Sequence, residues 1–194
     1  QGNQEAETAA WSAYLNLTDQ RLVVIRALQP ENLDLARQAT LAYPYEFSAN
    51  FWYAELLEKA GEDQAALQAY QQAAAAQPLH GLTHYRMGMI YEKLGDRQAA
   101  LQAYDWACAL GDQGKNGCIH AGYLYLEFGQ YELAEKRFRT SLVQLHNFPP
   151  SIIGLARALL GQGRTAEAIQ LLQPLASAGN TDAQELLASL TSTP

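Results

Sequence analysis

Four histidines and two cysteines are the side chains of this chain best suited to hold a metal or do covalent chemistry. His80 and His84 lie about one helical turn apart, a separation at which two imidazoles can reach one ion. No acidic or cysteine partner stands at ligand spacing beside them, so they read as a loop histidine and a packing histidine. His120, next but one to Cys118, takes the same reading. Gly111, Gly114 and Gly117 form a G-x-x-G-x-x-G run, but a dinucleotide cradle needs a strand before its glycines, and this run joins two predicted helices. The patterns G-x-x-x-x-G-K-[ST], H-E-x-x-H and G-x-S-x-G are absent, and nothing pairs a nucleophile with a base. The expectation is a protein that is not an enzyme, with no cofactor and no metal.

Charge and composition narrow the partners. A formal net charge of −7 disfavours a phosphate-backbone binder, so no nucleic-acid partner is expected. The one basic cluster, Lys136-Arg137-Phe138-Arg139, falls on a predicted helix and reads as a solvated face. No apolar run approaches the roughly 18–20 residues that span a bilayer, so no membrane span is expected. The chain begins at Gln1 with no charged segment leading into an apolar one, which reads as a mature or trimmed chain. At 48% hydrophobic and 17% charged residues it should fold, and its wealth of Ala, Leu and Gln favours helices.

The element pattern follows from a repeat. The string AALQAY occurs at Ala65–Tyr70 and again 34 residues later at Ala99–Tyr104. In that register Gly recurs at 61, 95, 129 and 163, and Ala at 66, 100, 134 and 168. Bulky residues follow at Tyr70, Tyr104, Phe138 and Leu172. Upstream, small residues stand at Ala54, Gly88, Gly122 and Ala156, with Leu57, Tyr91, Tyr125 and Leu159 three positions on. Small residues let two antiparallel helices approach, bulky ones fill the space beside the contact, and the Gly turns the chain between them. A single helix pair cannot bury both its faces and must stack on a copy of itself.

These columns resemble the tetratricopeptide repeat, over about Phe47 to Asn180. The stretch from Gly81 to Gly114 fits well, with Met87-Gly88, Tyr91, Gly95, Ala100, Tyr104 and Ala107, although Trp never leads a unit and among the four units the closing Pro occurs only at Pro78. The resemblance implies an all-α, right-handed α-solenoid of antiparallel helix pairs. Four repeats are expected at 47–80, 81–114, 115–148 and 149–180. Before them, 1–46 reads as N-terminal helices: Gln4–Leu15 carrying Trp11, then a degenerate pair at Asp19–Leu28 and Pro30–Ala42. Asn16-Leu17-Thr18 matches a glycosylation sequon but reads as a helix boundary. Residues 181–194 read as a capping helix and tail, opened by a Thr181/Gln184 capping box.

The string from Ala107 to Tyr125 further resembles the Sel-like relatives of this repeat, in which a cysteine pair bridges neighbouring units. That resemblance implies a Cys108–Cys118 disulfide, although the spacing here is longer than usual; the alternative is two buried thiols acting as small apolar residues. A disulfide would imply a periplasmic or secreted protein, its absence a cytoplasmic one.

The family's first helices line a concave groove. Counted in register, its lining would be Phe51, Glu55, Leu82, Tyr85, Met89, Ile119, Tyr123, Leu126, Ile153, Arg157 and Leu160. The resemblance implies a protein or peptide partner and a scaffold role, here in assembling a bacterial cell-envelope complex such as a pilus, secretion or exopolysaccharide system. The co-chaperone constellation of Lys and Asn that holds a C-terminal carboxylate is missing. Two alternatives stay open: a structural segment of a longer chain, and a self-associating, homo-oligomeric assembly unit.

Overall fold

A computed structural model describes residues 31–111 and 116–191. The expected helices at Gln4–Leu15 and Asp19–Leu28, the sequon, Pro30 and Gly114 lie outside the described residues.

Ten helices run through the described residues, with no strand among them: α1 Leu33–Ala42, α2 Phe47–Lys59, α3 Asp63–Ala76, α4 Gly81–Lys93, α5 Arg97–Leu110, α6 Gly117–Glu127, α7 Tyr131–Gln144, α8 Pro149–Gly161, α9 Thr165–Ser177 and α10 Thr181–Thr191. Helices pack in the pairs α2/α3, α4/α5, α6/α7 and α8/α9, and each second helix packs on the first helix of the next pair. The fold is an all-α solenoid.

Each repeat column has a visible packing cause. Tyr70, Tyr104, Phe138 and Leu172 are fully buried, as are Ala66, Ala100, Ala134 and Ala168 one turn before them on the same helices. The small column is small because a ring occupies its place: a Cβ at Gly88 would stand 2.5 Å from the Tyr104 ring, and one at Gly122 2.7 Å from that of Phe138. Phe138 is clamped from the other side too, since a Cβ at Gly154 would come within 2.3 Å of it. In the turns, Gly95 (φ 82°) and Gly163 (φ 75°) adopt the left-handed conformation that closes a helix and that side chains resist.

The pairs are also stitched by polar contacts that keep the 34-residue step. Gln71 donates to the Tyr91 hydroxyl (3.1 Å), and one unit later the Tyr125 hydroxyl donates to Asp105 (2.6 Å). Arg137 completes that second contact by pairing with Asp105 at 2.5 Å. At the next junction the buried hydroxyls of Ser141 and Ser151 bond to each other at 2.6 Å.

Two helix ends differ from expectation. α1 starts at Leu33 because the Asn32 side chain accepts from the Leu35 amide (2.9 Å), capping the helix beyond Pro30. The last helix is capped by Asn180, which accepts from the Ala183 amide (3.0 Å), rather than by a Thr181/Gln184 box. Gln184 instead donates to the Ala176 carbonyl (2.9 Å). In both cases an Asn side chain caps the helix, two residues after Pro30 at α1 and one residue before Thr181 at α10.

Candidate functional site

The first helices α2, α4, α6 and α8 are bonded to one another side by side. Arg86 of α4 reaches Glu58 of α2 at 3.3 Å, and His120 of α6 lies 3.5 Å from Glu92 of α4. Tyr123 of α6 donates to the Pro150 carbonyl of α8 (2.9 Å). These helices therefore form one continuous wall, and the sequence-predicted lining divides along it by depth.

Phe51, Ile119 and Ile153 are buried and belong to the hydrophobic core. They sit one turn too deep for a lining. Phe51, for instance, packs edge-on to Tyr70 and His80 and against Phe47. Leu82, Tyr85, Met89, Tyr123, Leu126 and Leu160 are half-buried, each backed by the core and open on the other side. Glu55 is also half-buried and Arg157 is exposed.

Sequence reasoning missed a polar column in the same wall. Leu126 and Leu160 were singled out, and stepping back by 34 residues leads to Glu92 and Glu58. The Tyr70 hydroxyl donates to Glu58 (2.8 Å), and the Tyr104 hydroxyl makes a short bond to Glu92. Each carboxylate also meets a basic side chain from the next first helix, Arg86 or His120. One unit on, all three partners become apolar together as Phe138, Leu126 and Gly154. The signal that could have found the column was the register already in use.

Burial sets the acidities along the wall. It pushes the phenols of Tyr70 and Tyr104 well above the usual tyrosine range, and the adjacent carboxylates Glu58 and Glu92 add to the shift. Burial also raises Tyr85 and Tyr123, against the opposing charges of Arg86 and Arg157 respectively. His120 packs on the Tyr104 ring (4.7 Å between centroids), with Nε2 3.3 Å from the Tyr85 hydroxyl. There burial holds its imidazole below the ordinary histidine range, and Glu92 works in the other direction.

The remaining chemical candidates are spent on structure. His80 bonds to Thr83 (2.8 Å), and His84 to the Pro78 carbonyl (2.7 Å) while stacking on Trp106. Among the described residues no three metal-binding side chains cluster, and no helix is long and apolar enough to cross a membrane. In the basic cluster, Arg137 is tied to Asp105, Arg139 to Glu135, and Phe138 is core. Cys108 and Cys118 are joined by a disulfide that links the end of α5 to the start of α6.

Comparisons with known proteins agree with this geometry. Family models described as tetratricopeptide repeat match residues 48–80, 83–110 and 125–190. A search of curated proteins returns no match. Among solved structures the chain is similar to YrrB (13% identity, 87% of this chain and 89% of that one, TM-score 0.71). It is also similar to MamA (15% identity, 90% of each chain, TM-score 0.66). PilF of Pseudomonas aeruginosa is a third (20% identity, 94% of this chain and 82% of that one, TM-score 0.63). At these identities the likeness is one of fold.

Proposed function

The chain belongs to the tetratricopeptide repeat family, and from that premise we propose that it is a non-catalytic scaffold that binds a protein partner's peptide or helix along its first-helix wall. One observation carries the reading. Leu82, Tyr85, Met89, Tyr123, Leu126 and Leu160 stay half-open in a row across the first helices α4, α6 and α8, where a solvated face would be polar. Tyr is enriched among the side chains that anchor such contacts, and Met adapts readily to a binding surface. YrrB, similar in fold, is described as a TPR protein with an unusual peptide-binding site, which supports a peptide ligand here.

The setting is part of the same proposal. The Cys108–Cys118 bridge supports a life in an oxidising compartment, the periplasm or outside the cell, and with it a role in assembling a cell-envelope complex. Thiol labelling of the native protein with and without reductant checks the compartment; a fully labelled unreduced protein removes this support.

The partner site is tested by affinity capture with the native chain beside a Tyr85→Ala/Tyr123→Ala variant whose helicity has been matched. Prey lost from the variant supports the wall. Identical prey on both moves the site elsewhere.

A further inference from the structure

Exposed hydrocarbon and formal charge lie at opposite edges of the solenoid. At one edge each second helix turns into the next first helix; at the other each first helix turns into its own second helix. Among the described residues, the large apolar side chains left more than half exposed are Leu41, Tyr45, Leu79, Trp106 and Val143, and all of them lie towards the second-to-first edge. Leu41 and Val143 share a 34-residue column whose intervening members, Ala75 and Ala109, are exposed too. His84 joins Leu79 to Trp106, since it bonds to the neighbouring Pro78 carbonyl and stacks on the Trp106 ring.

This edge is poor in charge. The turns at 77–80, 145–148 and 178–180 contain no Asp, Glu, Lys or Arg, and neither does the last turn of any second helix. Arg37 and Glu46 at the α1 end are of opposite sign, Asp182 stands at the far end, and the sequence between α5 and α6 adds the opposite pair Asp112 and Lys115. Further into the helices, Asp105 is held by Arg137 and Arg139 by Glu135. The opposite edge carries Glu62, Asp96 and Arg164 in its turns and Lys59, Lys93 and Glu127 at the helix ends leading into them.

We infer that the second-to-first edge is where a second copy of this chain docks, edge against edge about a two-fold axis. A net charge of −7 makes copies repel, and this edge is the place where they meet with least repulsion. The 13-residue helix α4 sets the charged edge about 20 Å back, beyond the roughly 8 Å screening length of physiological salt. A two-fold contact needs only a self-complementary patch, and hydrocarbon on hydrocarbon supplies one without matched ion pairs. An anionic membrane surface would call for a basic cluster that the edge lacks. From Leu41 to Val143, unit steps of about 10 Å over two helix layers give roughly 600 Å² per partner, the low end for a stable dimer. A Kd in the micromolar range follows. Met89, Tyr123 and Leu126 of the first-helix wall lie at mid-helix or beyond, so each copy keeps its wall open.

The test is sedimentation of the full, oxidised chain from about 1 to 300 µM. The expected result is a mass rising from one chain to two, with no weakening as NaCl is raised from about 0.05 to 0.5 M. A Tyr45→Ser/Leu79→Ser variant, neutral in charge and altered only at highly exposed positions, should dimerise at least about tenfold more weakly. A Tyr85→Ala/Tyr123→Ala variant of matched helicity should dimerise as the native chain does. A monomer at every concentration overturns the proposal, and if that monomer floats with phosphatidylcholine vesicles through Tyr45 and Leu79, the edge belongs to a membrane instead. A mass climbing past two chains overturns the two-fold arrangement. A dimer untouched by the edge variant, lost in the wall variant or dissolved by salt overturns the edge as its interface.

Discussion

The first two helix pairs and the last two solve the same packing problem with opposite chemistry. In α2/α3 and α4/α5 a buried Tyr hydroxyl must find an acceptor, and Glu58 or Glu92 supplies it from the first helix of the pair. That acceptor is itself held by Arg86 or His120 of the next pair. In α6/α7 the hydroxyl is gone, Leu126 stands in the acceptor's place, and the third position is Gly154, pressed against the Phe138 ring. Losing the carboxylate alone would leave a buried Tyr hydroxyl without its acceptor. All three change together, so the 34-residue step carries hydrogen-bonded triads as well as single residues.

The comparison breaks most severely at Phe138. Its ring is fully buried between Gly122 and Gly154, and neither glycine can grow to fill its place without a backbone shift. Phe138→Ala should cost about 3–5 kcal/mol in urea unfolding of the full chain. A loss below 1 kcal/mol would mean that the last two pairs do not depend on this clamp.

Next in size is the joint between the halves. The Cys108–Cys118 bridge closes a short loop across it, and reduction should cost about 2–3 kcal/mol. Because solenoid stability is nearest-neighbour in character, the reduced chain should also unfold less cooperatively, with the halves separating into distinguishable transitions. A single transition of unchanged midpoint after reduction would count against the bridge as the coupling element.

Phe138→Tyr asks whether the triads transfer. The new hydroxyl would point at Leu126 where that of Tyr104 meets Glu92, and burial without an acceptor should cost about 1–3 kcal/mol. In the Phe138→Tyr/Leu126→Glu double-mutant cycle the two changes should couple favourably. Additive or unfavourable coupling would show that the halves differ by more than the triad. In the reverse direction, Tyr70→Phe should cost about 1–2 kcal/mol, because the Glu58 side chain it abandons is only 13% exposed. Tyr104→Phe should cost less, since Glu92 at 39% exposed regains water.

How much of this was legible is clear from particular residues. The Ala66 and Tyr70 columns were readable because close helix packing tolerates few residue types, so identity recurs wherever geometry does. The fold came with them. Phe51, Ile119 and Ile153 were read one layer too shallow, because their burial is set by side chains of other helices, as Tyr70 and His80 cover Phe51. Helical periodicity says which way a residue points and not what stands in front of it. Glu58 and Glu92 were passed over for the opposite reason: a lone acid on a helix resembles ordinary surface until its Tyr and its basic partner are placed beside it. The Asn32 and Asn180 caps were missed because Pro30 and Thr181 offered stronger start signals nearby.

The smallest expected effect separates the two polar triads from each other. At the first junction the basic partner is the guanidinium of Arg86. At the second it is His120, whose folded value lies below the ordinary one of about 6.5 because burial outweighs the pull of Glu92. Between those two values the unfolded chain binds more protons at this site than the folded one, so stability should fall as pH drops through that window and be fully present above it. Tyr85 and Tyr104, the other groups against the ring, do not titrate there, since burial moves both phenols further up. The side chain is 38% exposed, so solvent screening keeps the effect below about 1 kcal/mol. His120→Gln should remove that slope between about pH 7.5 and 5.5, leaving the acid-range loss from carboxylates in place. If the variant keeps the native slope, or if native stability rises on acidification through this range, the imidazole of the second junction is not the neutral partner described here.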